Sequence, residues 1–123
     1  MNEAANLVSI MFLSREQAHR AHLAVTGKGS YARHMALGDF YEAIIPLADR
    51  FAEAYAGMYS PLTSIPYGTP ATGKIDAVLE DHLAEVIKAR SAFEKPAHGP
   101  LLNILDEVAA LYLGTLYKLR NLE

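Results

Sequence analysis

The chain has 123 residues, of which 51% are hydrophobic and 20% charged, a composition typical of a single globular domain covering residues 1–123. Its formal net charge of -3 disfavours a general electrostatic attraction to nucleic acid or to an anionic membrane, so we expect neither as a partner. The sequence contains no cysteine, which excludes disulfides, thiolate metal sites and a cysteine nucleophile.

The N-terminal segment, MNEAANLVSIMFLSREQ, lacks the basic start and the cleavage site of a secretory signal. No uncharged apolar run in the sequence reaches the roughly 18 residues of a membrane span. We therefore expect a cytoplasmic protein.

Two amphipathic helices are predicted in the first half of the chain. Apolar residues recur at steps of three and four from about Glu3 to Val25, and again from about Tyr31 to Met58. The glycines of the intervening turn should end the first helix and Ser30 should cap the second, which makes an antiparallel pair. The predicted core positions are Leu7, Ile10, Met11, Ala18, Ala21 and Val25 in the first helix, and Met35, Phe40, Tyr41, Ile44, Ile45, Ala48, Phe51, Ala52 and Tyr55 in the second.

Pro46 lies inside the second predicted helix. A proline removes one backbone donor and crowds the preceding turn. We expect a kink at this point rather than a break into two helices.

Two further helices follow a long connection. Residues 59–72, YSPLTSIPYGTPAT, carry three prolines and a glycine, which a helix does not tolerate. Helical periodicity returns from about Lys74 to Phe93 and from about Leu101 to Leu119. The connection is long enough for the third helix to run either parallel or antiparallel to the second. The predicted core positions are Ile75, Val78, Leu79, Leu83, Val86 and Ile87 in the third helix, and Leu101, Leu102, Ile104, Leu105, Val108, Leu111, Tyr112, Leu116 and Leu119 in the fourth.

The predicted fold is all-α, a four-helix bundle with one long proline-rich connection between its second and third helices. No strand-like alternation or internal repeat competes with this prediction. The fourth helix is apolar around much of its circumference, which predicts a surface that contacts another protein or a second copy of the chain.

Four residues of the first two helices could bind a metal ion: His22, His34, Asp49 and Glu53. His34, Asp49 and Glu53 fall within about 100° of one another around the second helix. The rise from His34 to Asp49 is about 22 Å, however, far beyond the span of one metal ion. The hairpin brings positions just before and just after its turn to similar height, so His22 should lie beside His34. If two copies of the second helix pack antiparallel across a two-fold axis, the histidines of one subunit meet the carboxylates of the other.

The pattern His22-x4-Gly27, then His34, then Asp49-x3-Glu53 resembles the ferroxidase signature of the Dps-type mini-ferritins, over about residues 15–57. The resemblance implies a ferritin-like homo-oligomer assembled through a two-fold contact of its first two helices. It also implies that ferrous iron is oxidised by hydrogen peroxide or oxygen at that contact. Members of this family commonly have a carboxylate four residues after the second histidine, where this chain has Gly38 followed by Asp39.

Three further residues are auxiliary candidates for the same chemistry. Asp39 stands next to Gly38, and Glu16 with His19 forms the Glu-x-x-His step found in di-iron bundles. A site inside one subunit would need a second such step, and the sequence offers only the reversed pair His82 and Glu85. Imidazole and carboxylate ligands suit iron, zinc and manganese alike.

The competing interpretation is a non-catalytic structural or interaction protein that retains the fold. The stretch LDEVAALYLGTLYKL, residues 105–119, resembles the ending of small bacteriophage proteins. Together the two resemblances imply a bacterial or viral origin, with a place in a virion as an open alternative to the cytoplasm. On this interpretation the histidines are ordinary core or surface residues, and Asp49 with Glu53 is a solvated helical pair.

Overall fold

The computed structural model describes residues 2–123. Over that range the regular structure is helical throughout and includes no strand, so the all-α prediction is confirmed. The four helices are α1 (Glu3–Ala24), α2 (Ser30–Met58), α3 (Ile75–Arg90) and α4 (Gly99–Asn121), with the short 3-10 turns Ser91–Phe93 and Pro96–His98 between α3 and α4.

The helices pack in a closed ring in which α1 and α4 each contact both α2 and α3. His22 near the end of α1 meets His34 near the start of α2, so these helices are antiparallel. Ser9 and Lys88 line one groove while Ala24 and Ile75 line another, which makes α1 antiparallel to α3 as well. Because α2 and α3 both run antiparallel to α1, they run parallel to each other. The structure thus decides between the two directions that the length of the connection allowed.

Residues 59–74, which we call the crossover, run along α1 and thereby connect the two parallel helices. Ser9 Oγ donates a hydrogen bond of 2.6 Å to the carbonyl of Pro66. Further along α1, Gln17 Nε2 donates to the carbonyl of Ala71 at 2.8 Å. These bonds satisfy backbone groups of a segment that has no helical partners of its own.

The core lies between all four helices and contains most of the predicted apolar positions. Met35 and Ile87 were predicted there wrongly, since 45% of Met35 and 54% of Ile87 is exposed. Both residues follow the helical spacing but lie at the edge of the apolar stripe, where the ring of neighbouring helices leaves them open to solvent. The largest side chains of the core are Leu7, Met11, Leu37, Phe40, Ile44, Phe51, Leu79, Leu101, Leu105 and Tyr112.

The turn between α1 and α2 depends on two glycines. Gly27 and Gly29 adopt φ values of 90° and 79°, a left-handed conformation that other residues rarely adopt. The prediction that Ser30 caps α2 is wrong, because Gly29 occupies the cap position and Ser30 is already helical. Pro46 lies within one continuous α2, as expected.

The apolar surface of α4 is used mainly inside the chain. Its leucines at 101, 105, 116 and 119 are buried in the core, together with Tyr112. Leu113 and Tyr117, each 57% exposed, remain as the large apolar side chains of this helix on the outside. Among the described residues, no helix combines the length and hydrophobicity needed to cross a membrane.

Candidate functional site

His22 and His34 form a stacked pair next to the turn between α1 and α2. Their ring centroids are 3.6 Å apart and their planes are inclined by only 19°. The glycine turn brings the end of one helix beside the start of the other, and each helix presents its histidine toward its neighbour. The sequence prediction that these two residues lie at the same height is thus met by direct contact of the rings.

Each ring of the pair is held by a hydrogen bond to the backbone of the other helix. His22 Nδ1 donates to the carbonyl of His34 at 2.6 Å, and His34 Nδ1 donates to the carbonyl of His22 at 2.8 Å. Because a carbonyl oxygen only accepts, the hydrogen must lie on Nδ1 in both rings. A neutral ring in this state carries its free electron pair on Nε2, the tautomer in which metal-binding histidines are held by backbone carbonyls. We call this pair the histidine clamp.

Gly38 makes room for the clamp. A Cβ atom at position 38 would lie 3.0 Å from His22 Cε1 and 3.2 Å from His22 Nδ1. The ring of His22 therefore packs against the bare backbone of α2 at this position. This is the physical reason for a glycine in the middle of a long helix.

Tyr41 extends the cluster on the α1 side. Its ring stacks on His19 at a centroid distance of 4.2 Å and meets the edge of His22 at 5.3 Å. The guanidinium carbon of Arg15 lies 5.4 Å from the Tyr41 centroid, within range of a cation–π contact. His19 thus belongs to an aromatic cluster that borders the clamp.

Asp49 and Glu53 lie away from the clamp in the single chain. Both are exposed on α2, within about 40° of exposed Tyr31 and Met35 around the helix. Among residues 2–123, no three histidine, aspartate or glutamate side chains come close enough to hold one metal ion. One chain therefore supplies the two imidazoles together and leaves the two carboxylates on its outer face.

The auxiliary carboxylates have other partners. Asp39 lies 3.9 Å from Lys118 Nζ of α4, on the side of α2 that faces away from α1. Glu16 accepts a 2.9 Å hydrogen bond from Arg20 Nε, and this bond, aided by the charges of Arg20 and Arg15, lowers the pKa of Glu16. Neither residue contacts the clamp.

A second polar cluster, missed by the sequence analysis, lies in the core. Ser14 Oγ of α1 is 2.7 Å from His82 Nδ1 of α3 and 2.5 Å from Tyr112 Oη of α4. All three side chains are buried. A signal was present, because Ser14 and His82 occupy positions of the apolar stripes at which a buried side chain must find a hydrogen-bond partner. We call these residues the buried triad.

Burial perturbs the titration of the triad in opposite directions. Desolvation lowers the pKa of His82, although the nearby charges of Glu85 and Asp81 oppose that shift. Desolvation raises the pKa of Tyr112, against the effect of its hydrogen bond with Ser14. Both shifts favour the neutral forms, as a low-dielectric interior requires.

The chain belongs to a family of unknown function, DUF5856, whose sequence pattern matches residues 22–119. The matched region begins at His22 and includes His34, Asp49 and Glu53. No curated protein and no solved structure matches the chain.

Proposed function

We propose that this protein is a ferritin-like homo-oligomer that binds and oxidises ferrous iron at a site shared between two subunits. His22 and His34 of one subunit would bind the ion together with Asp49 and Glu53 of the partner subunit. The observation that carries the proposal is the histidine clamp, in which both rings hold their hydrogen on Nδ1 and neither Nε2 makes a hydrogen bond to residues 2–123.

The helix directions agree with this proposal. One long crossover between parallel second and third helices, with the other neighbours antiparallel, is the connectivity of ferritin-like folds among four-helix bundles. Connectivity does not specify chemistry. The functional argument therefore rests on the clamp and on the outer face of α2.

The outer face of α2 suits an antiparallel contact with its own copy. Tyr31 lies as many residues before Glu42 as Glu53 lies after it. Met35 likewise lies as many residues before Glu42 as Asp49 lies after it. A two-fold axis near Glu42 would therefore place the apolar half of the face against the acidic half of the copy. The same arrangement would bring the clamp of each subunit toward the carboxylates of the partner.

The ligand set suits a divalent transition metal. Neutral imidazole and carboxylate bind iron, zinc and manganese, and Fe(II) is the one of these ions that gives up an electron most readily. Two ferrous ions would give the two electrons that reduce one hydrogen peroxide to water, with protons taken from solvent. Oxygen is the alternative oxidant.

The decisive experiment is anaerobic calorimetric titration of Fe(II) into protein of known oligomeric mass. We expect wild type to bind iron, and His34→Asn and Asp49→Asn each to lose that binding. Asparagine is the matched choice at position 34, because its amide can still donate to the carbonyl of His22 while it lacks a group equivalent to Nε2. Wild-type protein that takes up no iron, or that is monomeric, would contradict the proposal.

Mixing the two variants tests whether the site is shared. A mixed dimer of His34→Asn and Asp49→Asn subunits keeps one intact site, so random reassembly should recover about a quarter of wild-type binding. No recovery after confirmed subunit exchange would contradict a site shared between two subunits.

A non-catalytic structural role is the second candidate, and Gly38 favours it. At that position the packing of His22 replaces a carboxylate common in Dps-type proteins. The clamp would then serve to join α1 to α2. The resemblance to bacteriophage proteins would then make the chain a component of a viral assembly. In that case the wild-type protein would form its oligomer without binding iron.

A further inference from the structure

The buried triad connects three helices through one hydroxyl group. Ser14 of α1 lies between His82 of α3 and Tyr112 of α4, at 2.7 and 2.5 Å. Tyr112 finds its hydrogen-bond partner in Ser14, and burial keeps the phenol protonated, so Tyr112 donates to Ser14. Ser14 is then free to donate its own hydrogen to His82 Nδ1. In this arrangement every member of the triad is satisfied, and the hydrogen of His82 lies on Nε2.

The Nε2 atom of His82 has access to solvent although the residue is 96% buried, its relative exposure being 4%. Nε2 has no hydrogen-bond partner among the described residues. Every side-chain nitrogen or oxygen atom of those residues that is shielded from solvent does have a partner. Nε2 must therefore touch solvent. His82 lines a cavity of about 490 Å³ between α1, α3 and the crossover, and we assign the exposure of Nε2 to this cavity.

The cavity is suited to admit a proton. Its titratable lining residues besides His82 are Asp81 and Glu85, both exposed and both acidic. The residues of α1 and the crossover that line the cavity, Ser9 and Ile10 among them, carry no charge. Ser14 and Tyr112 face the other side of the imidazole and carry no charge. No positive group of the described residues lines this cavity.

We propose that His82 is an internal proton-binding site, reached through this cavity, whose protonation reverses its hydrogen bond with Ser14 and weakens the buried contact between α1, α3 and α4. A protonated imidazole has a hydrogen on Nδ1 and can no longer accept from Ser14. Nδ1 would donate to Ser14 Oγ instead, and Ser14 would accept from both His82 and Tyr112. Acid thus converts a satisfied buried network into one in which the hydroxyl hydrogen of Ser14 has lost its acceptor.

The direction of the pH effect follows from linkage. The pKa of His82 lies below its ordinary value of 6.5 in the folded protein, because burial outweighs the charges of Glu85 and Asp81. Between these two pKa values the unfolded chain binds more protons than the folded one. Stability therefore falls as pH falls below about 6.5 and levels off below the folded pKa, with no effect of this residue above 6.5.

Nitrogen NMR of the imidazole rings tests the proposal directly in wild-type protein. We expect His82 to carry its hydrogen on Nε2 at about pH 8 and to titrate below the ordinary histidine range. A hydrogen on Nδ1 at that pH, or a midpoint in the ordinary range, would overturn the proposal.

Thermal unfolding of His82→Asn tests the link to packing. The asparagine Oδ1 can accept from Ser14 in place of Nδ1 but does not titrate. Between about pH 7.5 and 5.5 the wild-type unfolding temperature should fall by about 3–5 °C more than that of the variant. Equal falls in both proteins would show that His82 does not couple protons to stability.

His98 provides the matched control, because it is the other buried histidine of the described residues. His98→Gln, which keeps a side-chain acceptor near Tyr59, should retain the wild-type pH dependence. Loss of the pH dependence in this variant would assign the effect to His98 and overturn the proposal. Should His82→Asn fail to fold, Ser14→Ala is the second variant, and in it the His82 ring should move toward the ordinary titration range in the NMR measurement.

Discussion

At the scale of single residues, the clamp shows how two polar side chains can be both structural and chemically available. Each Nδ1 is used to join α1 to α2, while neither Nε2 makes a hydrogen bond within the part of the chain that the structure describes. The stacking of the rings at 3.6 Å is possible because Gly38 has no side chain. A glycine inside a helix costs about 0.5–1 kcal/mol relative to alanine, so its presence here is explained by the space that His22 needs.

We predict that Gly38→Ala destabilises the protein although alanine is the better helix former. The new Cβ would lie 3.0 Å from His22 Cε1, and the ring cannot move away without weakening its bond to the carbonyl of His34. Gly114→Ala is the control, because a Cβ there meets nothing within 4 Å. In urea unfolding the control should gain about 0.5–1 kcal/mol, and Gly38→Ala should be at least about 1 kcal/mol less stable than the control. Equal gains would mean that His22 is not confined.

At the scale of elements, one ion pair joins three helices at the end of the molecule that carries the clamp. Arg33 of α2 donates to Asp76 Oδ1 at 2.5 Å, at the start of α3, and to the carbonyl of Leu119 at 3.2 Å, near the end of α4. The side chains of Arg33 and Asp76 are only 22% and 17% exposed. By contrast, Arg50 and Glu107 form a pair between α2 and α4 that is more than half exposed.

We predict that Asp76→Asn costs about 1–2 kcal/mol of unfolding free energy near neutral pH, because Arg33 loses a charged acceptor in a partly buried setting. Glu107→Gln should change stability by less than about 0.5 kcal/mol, as expected for an exposed pair. Denaturant unfolding of both variants beside wild type gives the comparison. A cost at position 107 as large as that at position 76 would contradict the burial argument.

The contribution of Asp76 should also disappear in acid. Burial alone would raise the pKa of this carboxyl, but its hydrogen bond with Arg33 and the charges of Arg33 and Lys74 together lower it below 3.8. A depressed folded pKa means that the stabilisation is present above about 3.8 and is lost as pH falls through the folded value. The difference between wild type and Asp76→Asn should therefore shrink below pH 4, well separated from the effect of His82.

At the scale of the whole molecule, two exposed apolar surfaces are candidates for the contact that the proposed dimer requires. The outer face of α1 and α2 exposes Leu23, Tyr31 and Met35 near the clamp. The outside of α4 exposes Leu113 and Tyr117. The proposed iron site needs the first surface, because its carboxylates must come from α2 of a second subunit.

We predict that Met35→Lys lowers the solution mass of the oligomer, since it puts a charge on the proposed two-fold contact. Leu113→Lys, a comparable change on α4, should leave that dimer intact. Light scattering of the eluting peak measures both masses, and circular dichroism confirms that each variant is folded. If only Leu113→Lys dissociates the protein, the contact lies on α4 and the shared iron site loses its geometric basis.

Helix existence and helix type were predictable from the sequence, because apolar periodicity and glycine or proline breaks are local properties of the chain. The same argument placed His22 beside His34, since a short glycine turn leaves little freedom to the helices that it joins. It failed at Met35 and Ile87, because exposure depends on which neighbours cover a helix edge. It also assigned Ser30 as a cap, where the left-handed Gly29 takes that position.

What the amino-acid order determined was thus the four helices, the turn and the separation of the histidines from Asp49 and Glu53 along α2. The tertiary structure decided the parallel direction of α2 and α3, the tautomers of the clamp, the purpose of Gly38 and the meeting of Ser14 with His82 and Tyr112. The physical reason is range: helical periodicity acts over a few residues, whereas a hydrogen bond between positions 14 and 112 exists only after the helices have packed.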